Sequence, residues 1–176
     1  LTIAGGGNIG LFFAQFVERD HGAVAAKLIA YDTERAAYVA DRLTKTVVIR
    51  GDALDPEILD EANVAATEAF VAVTNNDEAN VLGSLQAMRL GCPRVITLIN
   101  NVNYIALVNS LGIDTVVNPR AITVSTILQH VRRGRIRAVH ALREGIGEII
   151  EAELLDTSDL GGIPIRDAPL PDHVIF

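Results

Sequence analysis

Tryptophan is absent from this 176-residue chain, methionine and cysteine occur once each, and aromatic residues make up only 5%. The core must therefore be built from Val, Ile, Leu and Ala, which the 49% apolar content supplies. A single cysteine, Cys92, excludes an internal disulfide framework and a Cys-rich zinc site, and it suits a reducing, cytoplasmic compartment. Positive charge is in short supply too: 15 Lys and Arg stand against 22 Asp and Glu, a net charge of -7. A nucleic-acid surface, which draws its affinity from basic residues over phosphates, is not expected. No apolar run reaches the roughly 18 residues that cross a bilayer, and no signal peptide is visible, so direct membrane insertion is not expected. Both ends read as cut from something longer, since the chain begins inside an apolar run and stops at "HVIF".

What is present is alternation. Short, nearly continuous apolar runs fall at Leu1–Ala4, Lys27–Tyr31, Thr46–Ile49, Ala69–Val73, Arg94–Ile99 and Asp114–Val117. Such runs suit parallel strands covered on both faces. Between them lie amphipathic stretches at Ile9–Arg19, Glu34–Leu43, Pro56–Ala62, Asn80–Leu90 and Tyr104–Leu111. The pattern predicts a doubly wound α/β domain with a parallel sheet of about six strands. A further helix over Ala121–Arg133 carries Ile122, Val124, Ile127, Leu128 and Val131 on one broad face. With six strands already covered, that face predicts self-association. From about residue 136 the register changes: "EIIEAELL" alternates with a period near two, and the tail is rich in Gly and Pro. The expectation is one domain over 1–135 and the start of a small, incomplete α+β module over 136–176.

The first turn carries the chemistry. "GGGNIG" (Gly5, Gly6, Gly7, Asn8, Ile9, Gly10) follows a strand and opens a helix, with the G-x-G-x-x-G spacing. In that pattern the first glycine makes the turn, the second admits a pyrophosphate, and the third lets helix and strand pack closely. The N–H groups of the helix start then face the anion. The usual strand-end acid, about 20 residues on, holds the ribose hydroxyls. That count lands on Ala30, and Asp32 lies two residues further. Asp32 has two readings, a ribose contact or the N-cap of the next helix. Asp52 and Ala53, in "GDALD", fall where an adenine would lie, and Asp55 reads as a helix cap. Val73, Thr74 and Asn75 end the fourth run, and Ile99 ends the fifth, completing the crevice.

Nothing comparable points to catalysis. The four histidines are scattered without carboxylate partners, and no H-x-x-x-H, C-x-x-C or G-x-S-x-G spacing occurs. The glycine motif alone would fit an NAD-dependent oxidoreductase fragment, but the tail is short for a substrate domain. The residues describe binding without chemistry.

"GGGNIG", "ERAAYVADRL" leading to "GDALD", "AVTNNDEANVL" and "NPRAITVSTILQHVRRGRI" together resemble the second half of the regulatory subunits of Trk-type potassium-uptake systems. That half is an RCK (KTN) nucleotide-binding domain, and the resemblance runs over residues 1–135. It implies a cytoplasmic protein that self-associates through its RCK domains, docks on a membrane potassium transporter and gates it in response to NAD(H), or to ATP or ADP. The family's ligand positions fall on Gly5, Gly7, Asn8, Ile9, Gly10, Asp52, Val73, Thr74 and Ile99. The family's ribose acid falls on Ala30, a departure that leaves open weak NAD binding, preference for another nucleotide, or Asp32 in that role; an RCK half that is structural only is a further alternative.

Overall fold

Each apolar run becomes a strand. The computed structural model describes residues 1–113, 115–131, 136–141, 148–154, 156, 158 and 160–168. Strands β1 (Thr2–Ala4), β2 (Lys27–Ala30), β3 (Val47–Arg50), β4 (Phe70–Ala72), β5 (Val95–Leu98) and β6 (Thr115–Val117) form one sheet in the order β3-β2-β1-β4-β5-β6. Every pairing in it is parallel. The chain starts at β1, winds outward to β3, then crosses to β4 on the other side of β1. That reversal opens a crevice at the carboxyl ends of β1 and β4.

Helices α1 (Asn8–Asp20), α2 (Thr33–Ala40), α3 (Pro56–Glu61), α4 (Asp77–Arg89) and α5 (Ile105–Ser110) connect the strands. Short polar side chains start three of them by accepting from backbone N–H groups: Asp32 from Arg35 at 2.8 Å, Asp55 from Glu57 at 2.9 Å, and Asn76 from Ala79 at 2.6 Å. Pro56 adds a preset φ at the first position of α3. Helix α1 differs. Its N-cap is Gly7, which has no side chain to satisfy the helix start, so those N–H groups remain available to something else.

Alternation along the strands splits the core into two layers. Ala4, Ile29, Phe70 and Ala72 pack on one side with Leu59 of α3, Ala87 of α4 and Val108 of α5. Ile3, Leu28, Ala30, Val71 and Val73 pack on the other with Leu11 and Ala14 of α1 and Val39 of α2. Burying a Leu, Ile, Val or Phe side chain contributes roughly 1.5–3 kcal/mol, so both layers are substantial.

Strand β2 stops at Ala30, and Asp32 stands at the cap of α2, one of its two readings. The chain also divides into compact units at Leu1–Pro119 and Arg120–Phe176, which places α6 (Pro119–Val131) with the second unit. The sheet and its crossover helices are complete by β6, so the packing that defines the first unit ends there. In the second unit β7 (Ile136–Ala141) pairs antiparallel with β8 (Glu148–Ala152), and the period-two stretch falls on β8. Ile122, Val124 and Ile127 of α6 are each more than half exposed; the side chains of Leu128 and Val131 lie outside the described residues. No helix among the described residues is long and apolar enough to cross a membrane.

Candidate nucleotide site

The glycines of the first turn answer to different constraints. Gly5 has φ +126, and a Cβ there would stand 2.8 Å from the Val73 backbone. A Cβ on Gly10 would overlap the Gly5 carbonyl oxygen, so its absence lets α1 lie against β1. Gly7 is unlike both: a Cβ on it would meet no atom within 4 Å. Gly5 and Gly10 are required by the protein's own packing. Nothing in the chain requires Gly7, which faces open space at the uncapped start of α1.

That space is a cavity of about 510 Å³ at the carboxyl edge of the sheet. Gly5, Gly6, Gly7, Asp32, Asp52, Ala53, Thr74 and Asn75 all line it, drawn from four separate connections. A second hollow of about 390 Å³ adjoins it at the ends of β2 and β3, sharing Tyr31, Asp32, Gly51 and Asp52. Five residues expected in the site are not in the lining. Asn8 turns its amide oxygen toward Arg35, at 2.9 Å from the guanidinium. Ile9 is 48% exposed. Gly10 packs on Gly5, while Val73 and Ile99 are buried in the two core layers. Strand-end residues alternate between faces, and these two point into the core.

The two aspartates of the rim both engage backbone. Asp32 Oδ1 accepts from Arg35 N at 2.8 Å, the capping geometry, while the residue still borders the cavity. Asp52 Oδ1 accepts from Leu54 N at 2.9 Å.

Two further residues of the cavity wall, Arg35 and Asn80, and one behind it, Asp77, carry no signal of their own in the glycine and strand-end pattern. Arg35 reaches from the first turn of α2 across the glycine turn, where its Nε donates to the Gly6 carbonyl and a terminal nitrogen donates to Asn8 Oδ1. It places a cation beside the turn. Asn80, fully buried, accepts at Oδ1 from Thr74 N at 2.8 Å and Thr74 Oγ1 at 2.7 Å. Its Nδ2 donates to Thr74 O at 3.1 Å and Leu98 O at 2.9 Å. Asp77 accepts from Asn100 N, Asn100 Nδ2 and Asn101 N, all within 3.0 Å. The signal for Asn80 was available: Asn80, Gly83, Ser84 and Ala87 form the buried stripe of α4 at helical spacing, and a polar residue on such a stripe needs partners.

Sheet order, glycine turn and switch-point crevice together define a Rossmann-like domain of the nucleotide-binding type. The family model for the TrkA-N domain matches residues 1–119. This chain belongs to that family. It is 51% identical over 170 residues to the Trk system potassium uptake protein TrkA of Azorhizobium caulinodans, an alignment that covers 97% of this chain and 37% of that protein. The chain therefore spans little more than a third of that relative. Its fold is similar to the TrkA-N domain of the inner membrane protein ybaL from Escherichia coli, with a TM-score of 0.66 at 15% identity over 74% of this chain and 95% of that one. It is also similar to the GsuK channel bound to NAD, with a TM-score of 0.63 at 16% identity over 80% of this chain and 25% of that one.

Proposed function

We propose that this chain is the second nucleotide-binding half of a TrkA-type regulatory subunit. It binds an adenine nucleotide, NAD(H) or else ATP or ADP, and thereby gates a membrane potassium transporter on which the whole protein docks. The observation that carries this is the open space over Gly7, at an uncapped helix start inside a cavity at the topological switch point. Kinship with TrkA supplies the transporter, and the GsuK channel bound to NAD supplies a precedent for this fold with a dinucleotide. The resemblance of "AVTNNDEANVL" and "NPRAITVSTILQHVRRGRI" supports assignment to the second half.

In this reading the domain senses and does not catalyse: a pyrophosphate against the α1 N–H groups and an adenine near Asp52 and Ala53 need no nucleophile or base. The protein works at the cytoplasmic face of the membrane through its partner, and it self-associates through its RCK domains, with the exposed face of α6 as a contact. Ala30 favours a second reading, a half that assembles without ligand. Calorimetric titration with NADH, NAD, ATP and ADP separates the two. Saturable heat from any of them supports the sensor, and none from any adenine nucleotide, with self-association intact, supports the structural half.

A further inference from the structure

Where a strand-end acid would hold the two hydroxyls of an adenosine ribose, this chain has Ala30, almost fully buried at the end of β2. A Cβ on Gly6 would stand 2.7 Å from Ala30 Cβ and 3.7 Å from Arg35 Cγ, so the glycine turn, Ala30 and Arg35 meet at one wall of the cavity. Arg35 commits two of its nitrogens to the turn and keeps further N–H groups. One strand over, Arg50 is in register with Ala30. Its guanidinium donates to Thr33 Oγ1 at 3.2 Å and borders the adjoining hollow. Neither guanidinium is within ion-pair distance of a carboxylate among the described residues.

The charge count at this rim is decided by position 30. Asp32 and Asp52 also border the hollow, each with one oxygen held by a backbone N–H. Arg35 and Arg50 balance them. An acid at position 30 would add a third carboxylate and turn the rim against any further anion, whereas alanine leaves two guanidiniums, neither in an ion pair among the described residues and each with N–H groups to spare, beside vacant volume. A ribose hydroxyl finds only the second oxygens of Asp32 and Asp52 to donate to, the first being held by backbone N–H groups. A phosphate on the same ribose finds planar, multidentate donors.

We propose that the site selects an adenine nucleotide phosphorylated at the ribose 2′ position, the NADP(H) class, over its unphosphorylated counterpart, with Arg50 and the remaining N–H groups of Arg35 as the phosphate's partners. This deepens the proposed function and rests on the reading that the cavity holds an adenine nucleotide.

The test uses two small probes that differ only in that phosphate, 2′,5′-ADP and 5′-AMP, titrated calorimetrically into the 176-residue chain. The expected result is that 2′,5′-ADP binds at least about tenfold more tightly, the effect of one or two charge-assisted hydrogen bonds. Arg50→Ala should bring the ratio toward one. Ala30→Asp should reverse it, since its carboxylate would accept from ribose hydroxyls and repel the phosphate. Equal or tighter binding of 5′-AMP by the parent overturns the proposal. A ratio unchanged in Arg50→Ala overturns the assigned partner. Binding of neither probe overturns the nucleotide reading itself, so the two failures are distinct.

Discussion

Replacing Gly7 with valine isolates the role of the glycine turn, because the same change has opposite consequences for the fold and for the ligand. Gly7 has φ -66 and ψ -175, an extended conformation open to any residue. A Cβ there touches nothing within 4 Å. The folded state therefore gains no clash, and the unfolded chain loses freedom, so stability should stay within about 1 kcal/mol of the parent. The ligand fares differently. A branched side chain at the start of α1 fills the space through which a pyrophosphate would reach the helix N–H groups. Losing two charge-assisted hydrogen bonds, each worth roughly 1.5–3 kcal/mol, weakens binding by about a hundredfold or more. Gly10→Ala is the paired control. Its Cβ would overlap the Gly5 carbonyl oxygen, and overpacking of that kind costs on the order of 1–3 kcal/mol. Urea denaturation and nucleotide titration of both variants read the two effects separately. Nucleotide binding by Gly7→Val as tight as the parent's, or a Gly10→Ala protein as stable as the parent, would refute the division of labour among the glycines.

Three further outcomes follow from the packing. Glu18 accepts from the backbone N–H groups of Thr44, Lys45 and Thr46, at 3.1, 2.8 and 2.6 Å. Burial pushes its carboxyl pKa up, but those donors outweigh it and hold the value at about 2, against an ordinary 4.5. Because the folded value lies below the unfolded one, its contribution is complete above pH 4.5 and lost as pH falls toward 2. Glu18→Gln should cost about 1–2 kcal/mol at neutral pH, after allowance for solvent screening, and the gap should close across that window; a gap independent of pH would contradict the assignment. Asn80→Ala strands Thr74 N–H and Leu98 C=O in the interior, a loss of roughly 2–4 kcal/mol by urea denaturation, and a loss under about 0.5 kcal/mol would show that water replaces the amide. Charging the exposed face of α6 through Ile122→Glu and Ile127→Glu should produce monomers in sedimentation analysis, whereas an unchanged assembly would place the self-association elsewhere.

Much of this architecture is legible in the sequence, for reasons visible at particular residues. The strands were legible because central parallel strands are apolar on both faces; β3 and β6 are the exceptions, at the two edges of the sheet, with Val47 56% exposed and Thr115 exposed. Helix starts were legible because Asp32 and Asp55 cap through local, sequence-adjacent bonds. The glycine turn was legible for the same reason. Arg35 was not, although its helix was: which backbone carbonyl a long side chain reaches depends on how α2 approaches the β1–α1 turn, 29 residues away in sequence. Asp77 spans 23 residues to Asn100, and no local periodicity encodes that pairing. The burial of Val73 and Ile99 is not legible in the sequence, because one residue of register decides whether a strand end faces the crevice or the core.

The bonds of Asn80 and Asp77 divide the crevice into two unequal sides. Beyond β4, one side chain ties Thr74 to Leu98 and another ties the start of α4 to Asn100 and Asn101, so the loops after β4 and β5 are pinned to each other. On the β1 side the wall is a run of glycines steadied by a single arginine on the neighbouring helix. A nucleotide entering here would be flanked on one side by two loops locked to each other and on the other by a closely packed glycine turn that Arg35 spans from α2. The two sides differ in what one substitution can undo: Asn80 and Asp77 hold theirs through separate sets of bonds, whereas Arg35 makes both of the side-chain bonds described across the turn.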